Sequence, residues 1–314
     1  MITDRGPQAR PGSHLELLTF AAAVITIILW GSAYIGVVIA LKDFGPGELA
    51  VLRFLVASAT LLVMSSVARI RVPDRRDWWP LFRVGLLGIT TYHLLLNFGA
   101  QSVPPAVIAL ILQIAPVFTT FLASRFLGET VSRRSMVGTG IALVGASLLV
   151  LGRGGDLEFQ LGAMLIVACA FATSCYFVFQ QPLTRKYGPR TVTTWTMVMG
   201  TLPLLVFLPS ALGQLHAAST RSLLAVLYIG VFPAGIAYTL WNFVIHRVGA
   251  TRSTIYLFFT PAVTALAAWW MLDQVPSRLS IIGGLVVILG VLFVTDRRRV
   301  PRHQTTPSAE PDPP

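Results

Sequence analysis

The chain has 314 residues, 54% of them hydrophobic and only 12% charged, and its mean hydropathy is +0.72. That composition excludes an ordinary soluble domain, in which about 25% of residues are charged. The net charge of +11 arises from short Lys/Arg clusters between apolar stretches, a pattern that sets membrane orientation and does not read nucleic acid.

A polar tail (1–16) precedes ten predicted membrane helices, at 17–39, 48–68, 80–100, 104–127, 134–152, 161–182, 191–210, 222–246, 250–272 and 277–295. Each is close to the ~20 apolar residues that a hydrocarbon layer of about 30 Å requires. The first run is too long for a signal-peptide core and has no clear A-x-A site, so it is expected to remain as an uncleaved anchor. Turn-forming connectors separate the spans, among them "DFGPGE" (43–48), "RVPDRRDWWP" (71–80) and "RKYGPR" (185–190). The tail 296–314 is polar and Pro-rich, and is expected to be disordered beyond its arginines. Cys169 and Cys175 are six residues apart in one span, on different helix faces, and imply neither a disulfide nor a metal framework. No cofactor is expected.

With the N-terminus inside, 19 of the 24 Lys and Arg residues fall in cytoplasmic segments. Lys42, Arg153, Arg221 and Arg278 lie outside, and Arg53 lies within a span. The positive-inside rule therefore places both termini in the cytoplasm. This predicts a multi-pass protein of the cytoplasmic (inner) membrane, with the lipid bilayer as its surroundings.

Residues 85–150 align with 230–295 without a gap, at fifteen identities in 66 positions. Asn97/Asn242, Phe98/Phe243, Pro116/Pro261, Thr119/Thr264 and Gly145/Gly290 are among them. "DFGPGE" matches "KYGPRT" more loosely, at an offset of 143. A unit of five spans is odd, so the second copy must enter the bilayer from the opposite side. Inverted repeats of this kind frame a cavity near the membrane midplane and allow inward-open and outward-open states. The charges of the connectors follow the inversion: the inner "FLGETVSRRSMVG" (126–138) keeps Arg133 and Arg134, whereas its outer copy "MLDQVPSRLSIIG" (271–283) keeps one arginine and gains Asp273.

Several motifs have a familiar order. "WGSAY" (30–34) and "GPGELAVLRF" (45–54) are followed by "PVFTTFLASRFLGE" (116–129) and "GTGIALVGASLL"; the second half carries "TPAVTALAAWWMLDQ" (260–274) and "GGLVVILGVLF" (283–293). Over about 17–295 the chain resembles the EamA-like branch of the drug/metabolite transporter superfamily. The resemblance implies an all-α membrane protein of ten helices in two inverted five-helix repeats (17–152 and 161–295), which moves small metabolites. Where the family usually carries Gly-Glu after the ninth helix, this chain has Asp273-Gln274.

Polar side chains inside a span satisfy one another or face a cavity. His93 and Asn97 share a helix face, as do their repeat partners Tyr238 and Asn242. They either line a central cavity and hold substrate, or bond across helices and stabilise the bundle. Gln113 is the polar candidate of the fourth span. Trp30, Ser32 and Tyr34, and Tyr176 with Gln180, offer further hydrogen-bonding walls, against core packing as the alternative. Pro116 and Pro261 each free a carbonyl one turn earlier, at Leu112 and Leu257, and act as hinges or as static kinks. Arg53 is a gate or an anion-binding group, unless it snorkels to the outer interface. Gly138/Gly145 and Gly283/Gly290 allow close helix approach; packing is the default and a homodimer contact the alternative.

The expected activity is secondary transport of a small amino-acid-like or related polar metabolite by alternating access, with export favoured. No P-loop, H-E-x-x-H motif or intramembrane carboxylate is present to drive ATP hydrolysis, zinc catalysis or a carboxylate proton relay. His93 is the candidate substitute proton carrier, with facilitated transport down the solute gradient as the alternative. An intramembrane enzyme, or a receptor or assembly subunit, is the alternative.

Overall fold

A computed structural model describes residues 13–68, 70–127, 133–151, 157–248 and 256–295. The expectations for the two tails beyond these limits and for the side chain of Asn242 fall outside the described residues. Among those residues the chain is all-helical, without strands.

Among the described residues, seven helical rods are long and apolar enough to cross a membrane. They are α1 (Ser13–Ala40), α2 (Pro46–Ala68), α3 (Arg75–Gly99), α4 (Pro105–Phe126), α6 (Leu157–Phe179), α7 (Pro189–Leu215) and α8, which runs through 220–248. Three shorter apolar helices stand where further spans are predicted: α5 (Arg133–Leu151), α9 (Thr260–Leu272) and α10 (Arg278–Thr295). A short helix, Gln181–Tyr187, links α6 to α7, and Gly188 between them takes φ +80°, a conformation open to glycine at little cost. Large apolar side chains such as Phe121, Val206 and Leu289 face outward, as a hydrocarbon solvent requires.

Several rods are interrupted, and the interruptions recur at the offset of 145. A π turn occupies Leu86–Thr91 in α3, and another occupies Phe232–Ile236 in α8. Helix α4 breaks at Gln113 and Ile114, between Pro105–Leu112 and Ala115–Leu127; the matching residues Phe258 and Phe259 form the turn that opens α9. Both breaks fall just before a proline, where the missing N–H and ring clash disrupt the preceding turn. Packing is paired in the same way: α1 lies on α8 and α9, and α6 lies on α3 and α4; α2 meets α8, and α7 meets α3.

Among the described helices, α5 and α10 share the most extensive contact. A Cβ on Gly145 would stand 2.5 Å from the Val287 backbone nitrogen, and one on Gly290 would meet the backbone of Ala142 and Gly138. The two glycine faces are thus spent on each other within one chain, which leaves them unavailable for the homodimer contact.

Candidate functional site

The polar centre forms where α1, α2, α3 and α8 converge. Arg53 sits two turns into α2 and is 6% exposed. Its Nη1 lies 3.4 Å from Nδ1 of His93 on α3, and its guanidinium also lies against the Phe54 ring. An arginine donates only, so His93 Nδ1 accepts, and this contact assigns the ring proton to Nε2. The phenols of Tyr238, Tyr92 and Tyr34 are the electrostatic neighbours of the guanidinium. No carboxylate among the described residues pairs with Arg53, and its Nε is buried without a partner. The snorkelling expected of an interfacial arginine is not met: the charge is held inside.

Aromatic side chains enclose this charge. His93 lies between Phe54, at 4.3 Å between ring centroids, and Tyr92, at 4.6 Å. Trp30 of α1 packs on Tyr238 (5.5 Å) and Trp241 (5.3 Å), and its Nε1 donates to the carbonyl of Pro233 in the π turn of α8. Tyr34 pairs with Tyr92. Trp30, Tyr34, Arg53, His93 and Tyr238 are therefore brought together. Tyr92 belongs to the same group and was not singled out from sequence. It is adjacent to His93, and i, i+1 neighbours on a regular helix face apart; the π turn that ends at Thr91 immediately precedes the pair.

Other candidates stand apart from this centre. Asn97 is fully buried and donates from Nδ2 to the carbonyl of Pro46 (2.9 Å), an interhelical bond at the start of α2, while its Oδ1 has no partner. Ser32 bonds the Tyr228 hydroxyl at 2.6 Å and the Ile28 carbonyl. Gln113 donates to the carbonyl of Leu257 at 3.4 Å, the carbonyl that Pro261 frees one turn earlier. Tyr176 packs over Gly88 in the π turn of α3 and has Tyr238 as an electrostatic neighbour. Gln180 ends α6, where its carbonyl accepts from the Thr184 N–H.

Two cavities open from opposite ends. One, of about 470 Å³, lies among residues 100–107, 273–277, Val38, Ala268 and Ser280. The other, of about 170 Å³, lies between α2, α7 and α8 and has Tyr238 in its lining. Its polar lining is Ser65, Arg190, Thr193, Thr194, Tyr238 and Thr239.

Each end also carries a polar tie between connectors. At the end of the smaller cavity, Lys186 Nζ lies 3.0 Å from Asp74 and 2.5 Å from Asp77, and the Tyr187 hydroxyl donates to both carboxylates. These bonds hold both carboxyls below their ordinary range and push the Lys186 ammonium up. At the other end Asp43 accepts from the backbone N–H and hydroxyl of Ser219, which with Ser222 hold its carboxyl down. An offset of 143 takes Asp43 to Lys186; an offset of 145 takes Asp74 to Ser219 and Asp77 to Ser222. Equivalent connectors are thus tied at both ends, by different chemistry.

Comparison with known proteins completes the picture. The model of the EamA-like transporter family matches residues 17–151 and again 160–296. The chain is 35% identical over 269 residues to the Bacillus subtilis protein named uncharacterized transporter YdfC, covering 86% of this chain and 88% of that one. It is 30% identical over 276 residues to a probable terminal-alkyne amino-acid exporter of Streptantibioticus cattleyicolor, covering 88% and 93%. A solved crystal structure aligns with TM-score 0.58 at 22% identity, over 90% of this chain and 96% of that one, a likeness of fold.

Proposed function

The chain belongs to the EamA-like transporter family, and from that premise we propose that it is a ten-helix carrier built as two inverted repeats, 17–152 and 161–295, working by alternating access. It is a multi-pass membrane transporter. The observation that carries the finer reading is the pair of end ties. Repeat-equivalent residues meet repeat-equivalent connectors at opposite ends, as an inverted pseudo-two-fold demands. The matching π turns and the breaks before Pro116 and Pro261 obey the same offset and would serve as hinges.

Both termini are cytoplasmic in this reading, so the Lys186 tie closes the cytoplasmic side and the Asp43 tie the outer side. Opening one while the other holds would expose the aromatic centre to each side in turn. Trp30, Tyr34, His93 and Tyr238 form its walls. The cargo is a small amino-acid-like or related polar metabolite, and the direction is export. The exporter named for amino acids, similar over 88% of this chain, supports both statements.

The test is counterflow in proteoliposomes preloaded with unlabelled propargylglycine, a terminal-alkyne amino acid. The reading expects transient accumulation of external labelled propargylglycine above equilibrium, abolished by Tyr238→Ala. Uptake indistinguishable from protein-free liposomes would overturn it.

A further inference from the structure

We propose that Arg53 is the binding group for a carboxylate on the transported solute, reached through the cleft between α2, α7 and α8. This deepens the carrier reading and rests on it for the word "transported", but the binding chemistry stands on separate observations. A buried guanidinium without a counter-ion strongly destabilises a fold unless something compensates it. In this chain nothing among the described residues does so with charge: the neighbours are three neutral phenols and an imidazole nitrogen 3.4 Å away.

The guanidinium has five N–H donors in a planar fork, and its Nε is buried and unused. A carboxylate meets that fork with two parallel charge-assisted bonds. The Tyr34, Tyr92 and Tyr238 hydroxyls can donate to the same anion. A single positive charge ringed by neutral donors matches a monoanion; a dianionic phosphate would leave one charge uncompensated.

The route agrees with this chemistry. The cleft lining includes Tyr238, an electrostatic neighbour of Arg53, and Arg190 is the one charged residue among its named walls. Thr193, Thr194, Ser65 and Thr239 supply hydroxyls, and no carboxylate lines it to repel an anion. Electrostatic focusing in a cleft of one sign raises the local concentration of the opposite charge.

The experiment uses the full chain in detergent and follows thermal unfolding with propargylglycine, its carboxamide and butyrate as probes, in wild type, Arg53→Gln and Arg53→Lys. The expected result is that both carboxylates raise the wild-type Tm while the amide does not. Arg53→Gln abolishes the shift and melts no lower than unliganded wild type, because it removes an unpaired buried charge; Arg53→Lys keeps a reduced shift. Equal shifts for acid and amide, an unchanged shift in Arg53→Gln, or no shift with either carboxylate would each overturn the assignment. Counterflow on the same preparations separates the two readings: flux without carboxylate-dependent stabilisation contradicts this site, and stabilisation without flux contradicts the carrier.

Discussion

Arg53 and His93 face each other across α2 and α3 at 3.4 Å, the arginine donating and the imidazole Nδ1 accepting. The contact joins the one buried charge among the described residues to an imidazole nitrogen that accepts. His93→Gln keeps an acceptor in place and is expected to retain most flux. His93→Lys sets a second cation beside Arg53 and is expected to abolish it, with unfolding at lower temperature. Flux equal to wild type in His93→Lys would show that the pair lies off the transport path.

The α5–α10 seam makes a packing prediction. Gly145→Leu forces a side chain into the backbone of α10 and is expected to cost about 1–3 kcal/mol, the range for overpacked sites. Gly140, with open space where its Cβ would stand, is the control: Gly140→Ala is expected to fall within roughly 0.5 kcal/mol of wild type. Reversible unfolding of both variants measures the difference.

Asp273 ends α9 in the left-handed conformation, φ 54°, and the Gln274 N–H closes back on the Ala268 carbonyl. This cap geometry favours glycine, and aspartate is tolerable in it because Asp visits the region more readily than most residues. Asp273→Gly is expected to raise stability by a few tenths of a kcal/mol, and Asp273→Val to lower it by about 1–2 kcal/mol. Thermal unfolding of the pair checks the order.

The Lys186 tie should be insensitive to pH over a wide window. The Asp74 and Asp77 carboxyls are held below their ordinary 3.8, so their contribution is complete above that value and is lost as pH falls through the lowered values. Lys186 is raised above its ordinary 10.5, so its share is complete below 10.5 and is lost only as pH rises through the raised value. A spin label at Arg76→Cys, next to the tie, is expected to keep constant mobility from pH 5 to 9 and to loosen below pH 3.8. Loosening between pH 5 and 9 would contradict the assignment.

Much of the architecture was legible because membrane helices obey a length rule and a polarity rule that sequence displays directly. The repeat was visible in Asn97/Asn242 and Pro116/Pro261, and the helix breaks do precede those prolines. The aromatic centre was partly legible: Trp30, Tyr34, His93 and Tyr238 were identifiable as polar or aromatic residues inside spans. Two things were not. Tyr92 was missed because regular helical periodicity ignores the π turn beside it. The enclosure of Arg53 was open in the sequence, because a charge near a helix start fits both a buried and a snorkelled side chain, and only the surrounding helices decide between them.

The most direct test of alternating access follows both end ties in one set of molecules. Spin labels at Lys42→Cys with Ala217→Cys report the Asp43 tie, and labels at Arg76→Cys with Arg185→Cys report the Lys186 tie, in a chain with Cys169 and Cys175 replaced. The account predicts two distance populations for each pair, with propargylglycine shifting the two pairs in opposite senses. Distances that stay short at both ends in every condition, while counterflow proceeds, would contradict it.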